Sequence, residues 1–260
     1  MRTLWKFLAI VVALGVASPA LAQSRRSDDP ARMPVPTFAD TSNTTLDAYV
    51  WGGVAWNNGY VGGYGGGVIA FNGNLISDGL ILRAEGGGGQ YDYNLIQPGG
   101  ANNFEVSTNN ASALVGYRTA VGQGWLTGYL GVQREEQAND VDPNAELQGS
   151  ETGFKGIVEY WVPVGDKWQI VAFGSAAEPF GTWVGYGRLT YMVTDRIKIG
   201  PETMYFENQA YRDGRIGGYM SLDVNWGEIS ISGGYRHPYT DSPDGYYANV
   251  TVGVPIWNLW

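Results

Sequence analysis

The chain has 260 residues, 16 basic and 25 acidic side chains, a net charge of −9 and no cysteine. The lack of cysteine excludes disulfides, thiolate metal sites and a cysteine nucleophile, and a single histidine (His237) argues against a His-rich metal centre. The acidic balance, with no Lys/Arg-rich run, argues against nucleic acid as a partner. Glycine is abundant at 39 residues, about twice the usual ~7%, and the 10 tryptophans and 17 tyrosines exclude disorder for most of the chain.

The N-terminus reads as an export signal. Arg2 and Lys6 precede an apolar run from Phe7 to Val16, and Ala20-Leu21-Ala22 gives an A-x-A cleavage site, so residues 1–22 are assigned to a signal peptide. Residues 23–45 are polar and proline-bearing, without hydrophobic periodicity, and are expected to form a flexible periplasmic leader. No later stretch approaches the ~18 consecutive apolar residues of a transmembrane helix.

From Leu46 onward, apolar residues alternate with small or polar ones in stretches of about ten residues. Short breaks fall at Asn72-Gly73-Asn74, Gly122-Gln123-Gly124, Gly165-Asp166-Lys167, Thr194-Asp195-Arg196 and Asn225-Trp226-Gly227. Longer breaks fall near 57–61, 94–105, 134–150, 175–182, 207–214 and 237–245. Alternating short and long connections predict an all-β, antiparallel up-and-down transmembrane β-barrel of about 12 strands over residues 46–260, in the bacterial outer membrane with both barrel termini periplasmic.

The alternation also assigns the faces. A charge on the lipid face at the bilayer midplane costs ~2–4 kcal/mol. Arg83, Glu85, Arg118, Lys155, Glu159, Arg188, Glu202 and Arg215 are therefore expected to form a mixed-sign network in the lumen. A soluble barrel of lipocalin type would instead turn its apolar face inward. Trp125, Trp168, Trp183 and Trp226 lie near strand ends, as an interfacial girdle requires, and Trp260 ends an alternating run of Val250, Val252, Val254 and Ile256. The glycine runs Gly62–Gly67 and Gly86–Gly89 (interrupted in the first by Tyr64) are followed by strand-like residues rather than a helix, so they do not read as phosphate loops. They are expected to permit bends and close strand contacts.

Four stretches carry a resemblance: GNLISDGLILRAEGGGGQYDYN (Gly73–Asn94), GSETGFKGIVEYW (Gly149–Trp161), KIGPETMYFENQAYRDGRIGGYMSL (Lys198–Leu222) and ISISGGYRH (Ile229–His237). They resemble the cellulose biosynthesis protein BcsS family of alphaproteobacteria. The resemblance implies an outer-membrane accessory protein of bacterial cellulose synthesis or export with a structural, anchoring or glucan-export role. It implies cellulose and other cellulose-synthesis components as partners beside outer-membrane lipid, and supplies no catalytic or binding residues.

Other chemistries are weaker. A Ser232–His237 dyad would place its members on opposite faces of one strand, and Glu85, Glu159 and Glu202, if paired with lumen cations, would be unsuited to general-acid work. No catalytic residue and no cofactor is assigned. A loop with Asp140, Asp142, Asn144 and Glu151 has partial calcium-loop spacing but lacks its glycine, so it stands only as a weak metal candidate. Trp56, Tyr60, Tyr91, Tyr93, Tyr211, Tyr239 and Tyr246 lie near the expected external ends, where they suit either stacking on a glucan or an aromatic girdle. The alternatives to the cellulose role are a small-solute channel and an outer-membrane hydrolase.

Overall fold

Period-two alternation over twelve segments closes on itself. The computed structural model describes residues 46–57, 59–97, 100–138, 148–239 and 243–257, with the side chains of 92–105 excepted. The expected signal, the leader and Trp260 lie outside the described residues. The strands are β1 (Leu46–Asn57), β2 (Tyr60–Ala70), β3 (Gly79–Gln97), β4 (Gly100–Val121), β5 (Gly124–Ala138) and β6 (Gly149–Val164). They continue with β7 (Trp168–Ala177), β8 (Trp183–Met192), β9 (Ile197–Glu207), β10 (Arg212–Val224), β11 (Gly227–Pro238) and β12 (Gly245–Trp257). Each strand pairs antiparallel with its neighbours in sequence, and β1 pairs antiparallel with β12 to close the barrel. Closure removes both sheet edges, which leaves no unpaired ladder to satisfy in lipid. No helix among the described residues is long and apolar enough to cross a membrane.

The barrel ends, Leu46 and Trp257, pair at one rim, called here the terminal rim; the other is the distal rim. Every short break named from the sequence falls at the terminal rim. Gly73, Gly122 and Gly165 each adopt positive φ there, the backbone geometry that favours glycine in a tight turn.

Two of the longer breaks differ from expectation. The one near 57–61 is a tight β1–β2 hairpin, and the one near 94–105 lies largely within strand, because β3 and β4 pair from Gly79↔Arg118 out to Gln97↔Gly100. The sequence there mixes polar and apolar residues without a period of two, so the ladder keeps its hydrogen bonds but lacks the alternation by which a strand is recognised.

The two faces separate cleanly. Leu80, Leu82, Val115, Tyr117, Leu130, Val132, Phe154, Ile216 and Ile231 are exposed on the outside. Inside, the terminal half of the β1–β6 wall holds an apolar cluster of Leu46, Val68, Ala70, Leu75, Ile81, Leu114, Tyr129 and Ile157. Leu75 belongs to the β2–β3 turn, not to a strand. Its N–H donates to the Leu46 carbonyl (2.6 Å), and its carbonyl accepts from Arg118 Nη1. The turn thus folds inward and narrows the terminal rim. Trp168 and Trp226 are exposed as a girdle requires, whereas Trp125 departs from that expectation by lining an interior cavity.

Over the distal rim, a single 3-10 turn at Pro179–Gly181 packs Phe180 into the interior at 2% exposure with φ of 48°. Glu151 Oε2 accepts the Phe180 N–H at 2.8 Å, and Glu178 Oε2 accepts the Phe154 N–H at 2.9 Å. Burial and these two carboxylates hold a backbone conformation that costs a bulky residue ~1–3 kcal/mol.

Candidate functional site: a partitioned lumen

Strand parity turns all eight expected charges inward, in separate groups. Four meet in the middle of the barrel. Arg83 Nε donates to Glu85 Oε2 at 2.6 Å, Lys155 Nζ reaches Glu85 Oε1 at 2.6 Å, and Arg83 Nη1 donates to Glu159. Arg83 and Glu85 stand on β3 while Lys155 and Glu159 stand on β6, with β4 and β5 between them in the wall. These ion pairs therefore cross the lumen instead of running along it. Trp51 and Tyr129 flank the Arg83 guanidinium with ring centroids at 5.0 and 5.4 Å. Tyr129 Oη also donates to Glu159 Oε2 at 3.4 Å, and Ser112 Oγ to Glu85 at 3.4 Å.

The other four are placed elsewhere. Arg188 Nη2 pairs with Glu202 Oε2 at 3.1 Å, and the Arg188 guanidinium sits 3.3 Å from the Tyr219 ring centre. Glu202 also accepts from Tyr186 (3.2 Å) and Tyr247 (3.1 Å). Arg215 binds Asp213 through Nε and Nη2, nearest at 2.9 Å. Arg118 is buried near the terminal rim, where it donates to Thr127 Oγ1 at 3.0 Å and to the Leu75 carbonyl. The expected network is thus one lumen-crossing cluster plus three wall clusters.

Sequence reasoning missed a further group. Lys198 Nζ lies 3.2 Å from Asp223 and 2.8 Å from Glu228, and Tyr219 Oη donates to Glu228 at 3.1 Å. Parity identifies the group: Asp223 shares a face with Tyr219 and Ser221, and Glu228 with Ser230 and Ser232. Both lie beside the Asn225-Trp226 turn, so they read as turn polarity. At the distal rim Arg236, on the same face as Ser230 and Ser232, donates from Nη1 to Asn57 Oδ1 at 2.9 Å.

Two cavities lie on either side of the lumen-crossing cluster. A cavity of about 280 Å³ lies on its terminal side, among Trp51, Leu75, Arg83, Trp125, Glu159 and Trp161. A second, of about 200 Å³, lies on its distal side, among Trp51, Tyr60, Tyr64, Glu85 and Asn110. Trp51 borders both.

The seven expected stacking aromatics divide between the two faces of the wall. Trp56, Tyr239 and Tyr246 are exposed, and Tyr239 packs near Tyr205 and Tyr246 near Tyr235 in a distal aromatic belt. Tyr60 and Tyr91, paired across β2 and β3, share the inner face, and Tyr211 lies inside with its hydroxyl donating to Asp213 at 3.0 Å. The Tyr93 side chain lies outside the described residues.

The remaining chemistry is accounted for locally. Of the calcium candidate, Asp140, Asp142 and Asn144 lie outside the described residues, and Glu151 already caps the Phe180 N–H. Ser232 faces inward and accepts from Asn249 Nδ2 at 3.2 Å, while His237 is exposed on the opposite face with Nδ1 2.7 Å from Asp244. The two do not meet.

Over residues 49–256 the sequence matches the cellulose biosynthesis protein BcsS family. The chain belongs to that family. Its fold is similar to a KdgM porin, at 11% identity and a TM-score of 0.50, over 80% of this chain and 99% of the porin. It also aligns with the translocator domain of the autotransporter NalP from Neisseria meningitidis, at 12% identity and TM-score 0.49, over 83% and 90% of the two chains. An outer membrane channel from Pseudomonas putida F1 aligns at 12% identity and TM-score 0.45, over 90% and 100%. No curated protein matches the sequence closely enough to count as a relative. The chain is thus a closed twelve-stranded β-barrel of a cellulose biosynthesis family, with a fold like that of a porin.

Proposed function

We propose that this BcsS-family barrel is a closed outer-membrane component that anchors the cellulose apparatus or its product at the cell surface, and is not the conduit for the chain. The carrying observation is the pair of ionic links from β3 to β6, Arg83 to Glu159 and Lys155 to Glu85, across the mid-lumen. The Leu75 turn adds a second obstruction at the terminal rim. Twelve strands enclose much less space than the 16–18 of aqueous porins, and these side chains fill the middle of it.

In this reading residues 1–22 direct export and are removed. Residues 23–45 extend into the periplasm from the terminal rim and reach partner components there, while the distal rim faces outward. The reading assigns the protein no catalytic role: Glu85, Glu159 and Glu202 are bound to cations or tyrosines, and His237 lies apart from Ser232.

A second reading, a gated small-solute channel, is favoured by one feature: a cavity on each side of a partition only a few side chains thick. Two measurements decide. Deleting the gene and restoring it with the full chain or a version lacking residues 24–44 should abolish and then recover cellulose attachment to cells, with the leader variant impaired. Unchanged cellulose amount and attachment on deletion overturns the cellulose role. In planar bilayers the parent protein should be silent and Arg83→Ala/Lys155→Ala should conduct. Steady conductance by the parent replaces the anchor with the channel.

A further inference from the structure

The inner wall of β1–β3 is built to hold aromatic rings flat. Parity turns Gly53, Gly62, Gly66, Gly87 and Gly89 toward the lumen. A Cβ on Gly62 would collide with Tyr60 Oη, and one on Gly89 would stand 2.7 Å from the Tyr60 ring. A Cβ on Gly53 would meet the Tyr64 ring at 2.7 Å, and one on Gly66 would meet Trp51 Cζ2 at 2.6 Å. The rings of Tyr60, Tyr64 and Trp51 thus occupy the space that side chains would otherwise take. Tyr64 is further fixed by a hydrogen bond between its hydroxyl and Thr251 Oγ1 on β12.

These rings run from the distal mouth to the middle of the barrel and border the 200 Å³ cleft. Beside them, on the neighbouring strands β3 and β4, stand two polar groups, the Asn110 amide and the Glu85 carboxylate that also binds Arg83 and Lys155. At ~30 Å³ per water the cleft has the space of roughly seven waters, the scale of one sugar ring. Its inner end lies at Trp51 and at Glu85 of the lumen-crossing cluster. A floor of fixed rings with a few polar groups at the edge suits a ligand with one apolar face and a rim of hydroxyls.

We propose that this distal cleft is a subsite for a single pyranose ring of a β-1,4-glucan, entering from the distal rim and resting on Tyr60 and Tyr64 with its hydroxyls on Glu85 and Asn110. The assignment to a β-glucan rests on the cellulose-linked reading above. The inward aromatic wall, and not the outward belt of Trp56, Tyr239 and Tyr246, is then what holds the glucan.

The test uses the purified barrel in detergent, titrated calorimetrically with cellotetraose and with α-linked maltotetraose, alongside co-sedimentation with regenerated cellulose to separate free oligomer from polymer. Cellotetraose or cellulose should bind, maltotetraose should bind more weakly, and Tyr60→Ala should lose about tenfold in affinity, the equivalent of ~1.4 kcal/mol for one stacked ring. Tyr60→Phe keeps the ring and should stay within about twofold of the parent, and heat-modifiable gel migration checks that each variant is folded. No binding of either β-glucan form by the parent, equal binding of maltotetraose, or full binding by folded Tyr60→Ala overturns the subsite. The deletion experiment reads separately. Tyr60-dependent glucan binding with unaltered cellulose in the deletion strain keeps the subsite and removes the anchor, whereas a cellulose defect restored in full by Tyr60→Ala keeps the anchor and removes the subsite.

Discussion

The Arg83–Glu85–Lys155–Glu159 cluster and the Lys198–Asp223–Glu228 cluster use the same chemistry for different ends. The first links β3 to β6 across the interior, and its Glu159 side chain keeps 30% exposure. The second ties the adjacent strands β9, β10 and β11 along the wall, and its three side chains are 4–8% exposed. A wall cluster fastens neighbours that the ladder already joins; a crossing cluster fixes the state of the lumen. The difference follows from strand separation alone, so the two should fail differently.

Lys198→Met removes the one cationic partner that Asp223 and Glu228 have among the described residues and gives the largest expected loss. Stripping one partner from a buried ion pair typically costs ~3–5 kcal/mol, so the urea midpoint for unfolding from detergent should drop sharply while the bilayer stays silent. A midpoint close to the parent's would mean that Asp223 and Glu228 are wetter than their burial implies. Leu75→Ala tests the apolar seal of the terminal rim against the ionic seal at mid-lumen. Leu75 is 1% exposed, and such truncations cost ~2–5 kcal/mol. Stability should fall without conductance appearing, because the partition above it remains; conductance in this variant would make the turn the principal barrier.

Arg83→Met should cost less, about 1.5–3 kcal/mol, the value of charged hydrogen bonds. Glu85 keeps Lys155, and Glu159 keeps Tyr129 and partial access to water. Its signature is functional: intermittent conductance, as the two cavities join beside Trp51. A silent Arg83→Met with the stability loss of Lys198→Met would make the crossing cluster just another structural tie.

The sequence makes one of these clusters legible and hides the other for a physical reason. Arg83 and Glu85 lie mid-strand between Leu82 and Ala84, where alternation against a lipid face leaves no choice of direction. Lys198, Asp223 and Glu228 lie beside turns, where a charge facing out is inexpensive, so polarity there says little. The length of β3 and β4 was concealed because their distal sequence, with Leu95 and Ile96 adjacent and polar residues around them, has no period of two. Tyr60 was legible as a residue but the flat wall it forms with Tyr64 was not, because that depends on which glycines of β1, β2 and β3 come side by side in register. Periodicity reports the face of a residue, while its neighbours across the ladder come only from pairing.

The smallest expected effect lies at the distal rim, where a pair outside the lumen contrasts with both clusters. Asp244 accepts a hydrogen bond from the Tyr235 hydroxyl and lies 2.7 Å from His237 Nδ1. The tyrosine hydroxyl first, then His237, holds its carboxyl below the ordinary aspartate value. A carboxylate depressed in the folded state adds stability above its unfolded pKa of ~3.9 and loses it as pH falls through the lower folded value. Asp244→Asn should therefore be slightly less stable than the parent at neutral pH, with the gap closing below about pH 4. Because both residues of the pair are about half exposed, salt should shrink the gap as well. Urea midpoints across that pH range measure it. Parallel curves for parent and variant would mean that the rim pair is as inconsequential as a solvated surface contact, and that the stability of this barrel at acid pH is set inside the lumen alone.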